Sequence, residues 1–192
     1  MKAKIIHLLR HGPPRRMGLM LGHTDEPPCD PAGGLRGAVP DGLTISQVVS
    51  SDLLRALAGA EIQAAMRGLH LAVDPRWREL DFGAWDGLPT EAIARDDLAR
   101  FWNDPDAFPP PHGERWFDLC ERVRPALADL GDAALVVTHA GAMRAAVSVL
   151  TGLDHRAVWS FDLPYGALLS LHIWPDNAAS GQIVGLRAGL PG

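Results

Sequence analysis

Short apolar runs alternate along the chain with segments of helical periodicity. The runs are partly β-branched and bounded by Gly, Pro or polar residues, which predicts buried strands over 2–9, 44–50, 70–73, 133–138 and 167–173. In the other segments apolar residues return every three or four positions, which predicts helices over 54–67, 90–102, 114–130 and 143–150. Strands that alternate with helices predict an α/β sandwich with a largely parallel central sheet.

Glycine and proline divide these elements. Gly68 and Gly152 are expected to end helices, and Pro125 is expected to kink the helix over 114–130. The segments 12–42, 74–88 and 103–113 are predicted as loops or irregular backbone, and the pattern specifies the tail from Pro175 only weakly.

The composition narrows the class of protein. The chain has 192 residues, of which 47% are hydrophobic, enough for a single globular domain over 1–192 with a sizeable core. A net charge of −5 without a basic run argues against nucleic acid or an anionic membrane as the partner. Two isolated cysteines, no leader pattern and no membrane-length apolar run predict a cytoplasmic protein.

The first strand has an ending that a buried strand does not require. The apolar run from Ile5 to Leu9 stops at Arg10-His11-Gly12, and two prolines follow. Neighbouring strand residues face opposite ways, so Arg10 and His11 serve one site only if the chain turns there. Gly12 permits that turn, and the prolines exclude further ladder pairing.

Two later strand ends carry side chains of the same kind. The second strand passes through Ser51 into a helix whose first turn holds Arg55, and the fourth strand ends before His139. In a parallel sheet these ends share one edge with Arg10 and His11. Helix N-termini present free N–H groups at that edge, and arginine binds phosphate oxygens in a bidentate manner. The pattern therefore predicts a phosphate pocket that contains imidazoles.

A metal site is the competing interpretation of the histidines. His7 and His11 are four residues apart, which is a ligand spacing on a helix. On a strand the same spacing separates them by ~13 Å, and the apolar KIIHLL run favours a strand. We therefore expect no metal and a core or supporting position for His7. The chain also lacks the G-x-S-x-G, P-loop and G-x-G-x-x-G motifs, which disfavours serine hydrolases, NTPases and dinucleotide-binding proteins.

Four stretches together resemble the histidine phosphatase superfamily, the phosphoglycerate-mutase-like group. They are LLRHG at 8–12, SSDLLRALAGAE at 50–61, RELDFGAWDG at 78–87 and VVTHAGAMR at 136–144, in the family's order. The resemblance implies a three-layer α/β/α sandwich that hydrolyses a small phosphate ester through a phosphohistidine, with no cofactor and no metal. It leaves a homodimer open.

The resemblance also implies a role for each matching residue. His11 is similar to the family's nucleophile, and Glu79 is similar to the proton donor of the leaving oxygen. The residues that resemble the clamp on the phosphoryl group are Arg10, Arg55 and His139. Asp81 and Asp86 are weaker candidates for the acid and are otherwise expected to form turns beside glycines.

The segment over 101–116 is the most specific guide to a substrate. FWNDPDAFPPPHGERW resembles the W-x-x-D-P … P-P-x-G-E stretch of α-ribazole phosphatases, which act late in cobalamin nucleotide-loop assembly. Pro13, where the family commonly has Glu, and Arg115 depart from the pattern and leave the substrate open. The alternatives are a broad-specificity or sugar-phosphate phosphatase, a phosphoglycerate mutase and a non-catalytic phospho-ligand binding domain. The compact length disfavours the mutase, and the presence of both His11 and Glu79 disfavours the binding domain.

Overall fold

A six-stranded sheet forms the centre of the fold. The computed structural model describes residues 3–174 and 180–189. The strands in these ranges are β1 (Lys4–Arg10), β2 (Gln47–Ser50), β3 (Leu71–Val73), β4 (Ala134–Thr138), β5 (Leu168–Ile173) and β6 (Gly181–Arg187). Their order is β3-β2-β4-β1-β5-β6. The first four are parallel, whereas β5 and β6 pair in the antiparallel sense, which confirms the largely parallel sheet.

Helices connect and cover the strands. Those within the described ranges are α1 (Leu54–Arg67), α2 (Arg95–Asn103), α3 (Trp116–Asp129), α4 (Ala140–Thr151) and α5 (His155–Val158). The left-handed residues Gly68 and Gly152 end α1 and α4, which confirms both predicted stops. Helix α3 runs through Pro125. None of the helices in the described ranges has the length and apolar character needed to cross a membrane.

Two hydrophobic clusters lie on opposite faces of the sheet. Alternate residues of β1 divide between them, because Leu8 packs with α3 and α4 whereas Leu9 packs with α1. Strand β4 is buried along its whole length because both of its faces are covered. The arrangement is the three-layer α/β/α sandwich that the sequence predicts.

Helix α2 begins later than the sequence predicts. The pattern predicts a helix over 90–102, whereas the structure has a 3₁₀ turn at Thr90–Ala92 and an α-helix from Arg95. Ala94, directly before the α-helix, is not helical. Two aspartates lie in the first turn, where the helix dipole favours negative charge.

Two elements near the C-terminus are missing from the sequence prediction. Helix α5 has four residues, too few to show a helical period. Strand β6 lies at the sheet edge and contains Gly181 and Gly185, which weaken a strand pattern. The tail from Pro175, which the sequence specifies only weakly, thus contains a strand at Gly181–Arg187. Other parts of the predictions lie outside the described residues, namely Lys2, 175–179 and 190–192.

The long loop after β1 folds back over α1. A side chain at Gly12 would overlap the carbonyl oxygen of Gly33, so these two backbones lie in contact. Gly33 has a φ of +68°, and a Cβ there would lie 2.5 Å from the backbone nitrogen of Gly59. Glycine at these positions allows the loop to lie against α1, beside the carboxyl ends of β1 and β2.

Candidate active site

The ends of three parallel strands bring two histidine rings together. The backbone N–H of His11 donates to Thr138 O at 2.9 Å, and that of Ser51 donates to Val137 O at 3.0 Å, so the ladder continues up to the site. His139 follows β4 as the N-cap of α4. The ring centroids of His11 and His139 are 4.9 Å apart. The parallel register therefore brings together two strand ends that are distant in sequence.

The hydrogen bond of His11 fixes its tautomer. Its Nδ1 lies 2.6 Å from Gly12 O, and because a carbonyl oxygen only accepts, Nδ1 carries the proton. The lone pair is then on Nε2. Burial lowers the pKa of His11 well below its usual value, and the charges of Arg55 and Arg10 lower it further. His11 is therefore a neutral imidazole with a free electron pair at neutral pH.

His139 is the second buried imidazole. Its Nε2 lies 3.0 Å from Ser51 Oγ, and its Nδ1 has no hydrogen-bond partner among the described residues. Burial lowers the pKa of His139 well below the ordinary value, and the charges of Arg55 and His11 lower it further. The ring is therefore neutral in the free protein. An anion beside it would favour the imidazolium.

Arg55 is fully buried and held by the loop after β1. Its guanidinium donates to the carbonyl oxygens of Gly22 at 2.6 Å, Thr24 at 2.8 Å and Leu21 at 3.2 Å. Burial lowers the pKa of Arg55, and the nearby carboxylates oppose that effect, led by Glu79. Three of five N–H donors are used by the loop, and the buried Nε has no partner among the described residues. Donors thus remain for an oxyanion.

Asp86 fixes the loop that holds Arg55. Its carboxylate accepts the backbone N–H groups of Gly22 at 3.0 Å, His23 at 2.6 Å and Thr24 at 2.9 Å. The same loop segment presents its carbonyl oxygens to Arg55, so Asp86 positions the guanidinium through the backbone. Asp86 therefore has a structural role. The sequence analysis named it as a weaker candidate for the general acid.

Asp81 forms a turn beside Gly83, which is the structural role that the sequence analysis gave as the alternative to an acid role. Its Oδ1 accepts the N–H of Gly83 at 2.8 Å, and Oδ2 lies 3.6 Å from Nδ1 of His23. The ring of His23 donates in turn to Glu79 O at 3.1 Å. Asp81 is thus engaged with the backbone and ring that surround Glu79.

Arg10 reaches the same pocket with its guanidinium stacked on the ring of Tyr165. The sequence analysis did not identify Tyr165. Nη1 of Arg10 donates to Leu163 O at 2.6 Å, and its guanidinium carbon lies 4.1 Å from the ring centroid of Tyr165. That ring is also 5.4 Å from the ring of His11. The buried Nε of Arg10 has no partner among the described residues. Tyr165 is the only tyrosine of the chain, but it lies in a loop without a motif to mark it.

Glu79 is held at the N-terminus of α4. Its Oε2 accepts the N–H of Gly141 at 3.1 Å, and its Oε1 accepts the N–H of Leu80 at 2.8 Å. A Cβ at Gly141 would overlap Oε1 of Glu79, so only glycine allows the carboxylate this position. The start of α4 therefore supplies both His139 and the seat of Glu79. The structure thus places Glu79 beside Gly141, two residues after His139.

An ion pair braces the segment that carries Glu79. Arg122 on α3 donates to the carbonyl oxygens of Arg76 at 2.7 Å, Arg78 at 3.1 Å and Glu79 at 3.2 Å. The carboxylate of Glu114 binds the same guanidinium in a bidentate manner, at 2.9 and 2.8 Å. Sequence reasoning used Glu114 only as part of a subgroup motif and missed Arg122. The brace couples the end of the proline-rich loop to Glu79.

His7 occupies the core rather than the site. It is buried on β1, and its Nδ1 lies 2.8 Å from Oγ of Ser170 on the adjacent strand β5. Burial lowers the pKa of His7. The predicted core position is confirmed. Among residues 3–174 and 180–189, no group of three or more His, Cys, Asp or Glu side chains is placed to hold a metal ion.

A pH titration followed by NMR tests the electrostatics of the two rings. Because burial and the arginines lower the pKa of both His11 and His139, neither ring should titrate at about 6.5, the ordinary histidine value. The unfolded chain would take up these protons near that pH, so the free energy of unfolding should decrease as the pH falls below it. Inorganic phosphate should shift both titrations upward. Titration of both rings near 6.5 without phosphate would contradict the geometry.

Fold and site together define a class of protein. It is a three-layer α/β protein with two buried imidazoles and two arginines at the carboxyl ends of parallel strands. The family model described as "Histidine phosphatase superfamily (branch 1)" matches residues 6–183. The chain therefore belongs to the histidine phosphatase superfamily, which confirms the resemblance noted in the sequence.

Known proteins are similar to this chain over different fractions of its length. Over 152 residues it is 37% identical to the bifunctional protein Rv2228c of Mycobacterium tuberculosis, covering 73% of this chain and 40% of that protein. This chain thus spans less than half the length of that relative. A mycobacterial glucosyl-3-phosphoglycerate phosphatase in complex with inorganic phosphate superposes with a TM-score of 0.79 at 25% identity, covering 94% and 95% of the two chains. An Escherichia coli K-12 protein proposed to be an α-ribazole-5′-P phosphatase shares the fold, with a TM-score of 0.81, 24% identity and coverage of 99% and 100%.

Proposed function

We propose that the chain is a phosphomonoesterase in which His11 carries the phosphoryl group between two half-reactions. The observation that carries the proposal is the tautomer of His11, whose Nδ1 donates to Gly12 O and whose Nε2 keeps its lone pair. Neutral imidazole attacks phosphorus and forms a covalent intermediate, which divides a difficult hydrolysis into two steps. The lowered pKa of His11 keeps this nucleophile unprotonated at neutral pH.

Three further residues stabilise the transferring phosphoryl group in this proposal. Arg10, Arg55 and His139 each have a buried nitrogen without a partner among the described residues. The arginine nitrogens are donors suited to an equatorial oxygen, and Nδ1 of His139 is one in the imidazolium form. The arginines bring fixed positive charge, and bound phosphate favours the charged form of His139. The clamp therefore strengthens as negative charge develops.

Glu79 is the proton carrier of the scheme. As Nε2 of His11 bonds to phosphorus, the ester P–O bond breaks and Glu79 gives its proton to the leaving oxygen. In the second half-reaction a water oxygen attacks phosphorus, the P–N bond breaks, and the Glu79 carboxylate takes the proton from water. The products are the alcohol and inorganic phosphate, and both residues regain their starting states.

We propose α-ribazole 5′-phosphate as the substrate. The resemblance of the 101–116 segment to α-ribazole phosphatases supports this choice, and Glu114 of that segment contacts the Glu79 segment through Arg122. A sugar phosphate is the second candidate, favoured by the structural similarity to a glucosyl-3-phosphoglycerate phosphatase. The two candidates differ in the leaving alcohol and share the chemistry at phosphorus.

Phosphate release from α-ribazole 5′-phosphate tests the proposal. The assay runs beside sugar phosphates and phosphoglycerates, with and without a chelator, and the expected result is the highest kcat/KM for the ribazole ester, unchanged by chelation. A higher kcat/KM for a sugar phosphate would replace the substrate and keep the chemistry. No release from any ester, or strong inhibition by the chelator, would contradict the phosphohistidine scheme.

A further inference from the structure

A cavity opens directly beside Glu79. Its volume is about 110 Å³, and Glu79 and Gly141 are among the residues that line it. In the proposed function, on which the following inference rests, Glu79 protonates the oxygen of the departing alcohol. The alcohol attached to that oxygen must then lie next to Glu79, and this cavity adjoins Glu79.

Aromatic rings also line the cavity. Phe101, Trp102, Trp116 and Trp159 all line it, and they contact one another edge to face. The centroid distances are 4.8 Å between Phe101 and Trp102, 5.6 Å between Trp102 and Trp159, and 5.3 Å between Trp116 and Trp159. Phe101 and Trp116 are buried in the core, whereas Trp102 is 45% exposed. Such a lining favours a planar, apolar group.

One cation lines the cavity among these rings. The guanidinium carbon of Arg144 lies 5.1 Å from the ring centroid of Trp159, and Nη2 donates to Phe161 O at 3.1 Å. Its Nε is buried and has no partner among the described residues. Burial lowers the pKa of Arg144, while the charge of Glu79 opposes that effect. The remaining donors of Arg144 are therefore suited to an acceptor, preferably an anionic one, on a molecule in the cavity.

The size of the cavity limits its occupant. An apolar cavity of about 150 Å³ holds one benzene molecule, so about 110 Å³ is close to the volume of a single ring. Trp102 and Trp159 also line an open groove of about 440 Å³ on the surface, together with His155 and Arg156. A larger leaving group would therefore place one ring inside and continue past these two tryptophans into the groove.

We infer that the cavity between Glu79, Arg144 and the Trp102–Trp159 pair is the leaving-group subsite, and that it selects phosphate esters of alcohols that carry a planar ring with an acceptor substituent. The ring packs against the tryptophans, and the acceptor binds Arg144. None of these four side chains belongs to the phosphate clamp. The subsite therefore sets which alcohol is accepted, while His11 and the clamp perform the transfer.

Matched primary alkyl esters test the ring preference. Phosphate release is measured from 2-phenylethyl phosphate and from n-propyl phosphate, whose leaving alcohols are both primary. The expected ratio of their kcat/KM values is about tenfold or more in favour of the ring, from burial of its apolar surface, and Trp102→Ala should lower this ratio severalfold. Phe117→Ala is the matched control, because Phe117 is an aromatic residue of α3 that is 60% exposed and does not line the cavity. Its ratio should stay within about twofold of the wild type.

A second pair of esters tests Arg144. The ratio of kcat/KM for 2-(4-carboxyphenyl)ethyl phosphate over 2-phenylethyl phosphate should exceed one in the wild type. Arg144→Met should bring it to one or below, and Arg144→Lys should restore part of it, because lysine keeps the charge without the planar fork. Equal effects of Arg144→Met on both esters would assign Arg144 a structural role and overturn its part of the inference.

A binding measurement separates failure of the subsite from failure of the proposed function. The phosphonates 2-phenylethylphosphonate and n-propylphosphonate cannot be hydrolysed, and their Kd values follow from calorimetry. Tighter binding of the ring-bearing phosphonate, weakened in Trp102→Ala, supports the subsite even if no ester is turned over. Equal Kd values, or no effect of Trp102→Ala, would overturn the inference even in an active phosphatase.

Discussion

Replacing His11 with alanine should lower phosphate release by a factor on the order of 10³ or more, because the variant has lost the atom that bonds to phosphorus. The clamp donors of Arg10, Arg55 and His139 lie on other residues and remain in place. The variant should therefore still bind inorganic phosphate. Initial rates with the best ester of the panel measure the loss, and the affinity for phosphate, measured by calorimetry, shows that the pocket has kept its shape.

A matched control and a chemical signature make this test specific. His70→Ala removes an exposed histidine that directly precedes β3, at the amino edge of the parallel strands and therefore opposite to the site, and it should leave the rate within about twofold of the wild type. Intact-mass spectrometry after alkaline quenching should find one added phosphoryl group on the wild type and none on His11→Ala. Residual activity above about a tenth of the wild-type rate would assign the nucleophile to another residue.

The carboxyl edge of the sheet was the part of the site most accessible to sequence reasoning. Strand patterns are local, and a parallel order places strand ends on one edge whatever the distance between them along the chain. This is why His11, Arg55 and His139 could be grouped before any coordinates. Glu79 depended on the family resemblance alone, because no periodicity marks the segment in which it lies.

The supporting residues were not accessible in the same way. Asp86 holds backbone groups 62 to 64 residues away, and Arg122 binds carbonyl oxygens 43 to 46 residues away. Neither contact follows from a repeat or a spacing, since each depends on how loops pack over the finished sheet. Aspartate near glycines is as typical of turns as of such a brace. Tertiary packing therefore decides which polar residues support the site.

The aromatic residues of the cavity were also not predictable from the sequence. Phe101 and Trp102 are neighbours in sequence, yet one is 1% and the other 45% exposed. Helical spacing places adjacent residues about 100° apart, but two neighbouring aromatic residues give no signal for which of them faces the core. Their distinction arises from tertiary packing, because Phe101 contacts Phe82 and Trp85 in the core whereas Trp102 contacts Trp159, which comes from a later part of the chain. The residues that choose a leaving group are thus less predictable than those that transfer phosphate.

Replacing Glu79 with glutamine should slow alkyl esters far more than aryl esters. An alkoxide is a poor leaving group and needs a proton from Glu79, whereas nitrophenolate leaves without one. Loss of a general acid costs about 10²- to 10⁴-fold, and we expect a loss in this range for 2-phenylethyl phosphate. For 4-nitrophenyl phosphate the first half-reaction should change by much less.

The measurement must resolve the first turnover, because Glu79 also takes a proton from water in the second half-reaction. In Glu79→Gln, 4-nitrophenol should therefore appear in a rapid burst, followed by slow release of phosphate from the phosphohistidine. The N–H groups of Leu80 and Gly141 contact different oxygens of Glu79, and in glutamine one of these oxygens is replaced by an NH₂ group that cannot accept. Gly141→Ala is the control for displacement of the side chain, because its Cβ moves the carboxyl group of Glu79 but leaves it able to carry a proton. Equal first-turnover losses on the alkyl and aryl esters in Glu79→Gln would mean that Glu79 does not protonate the leaving oxygen.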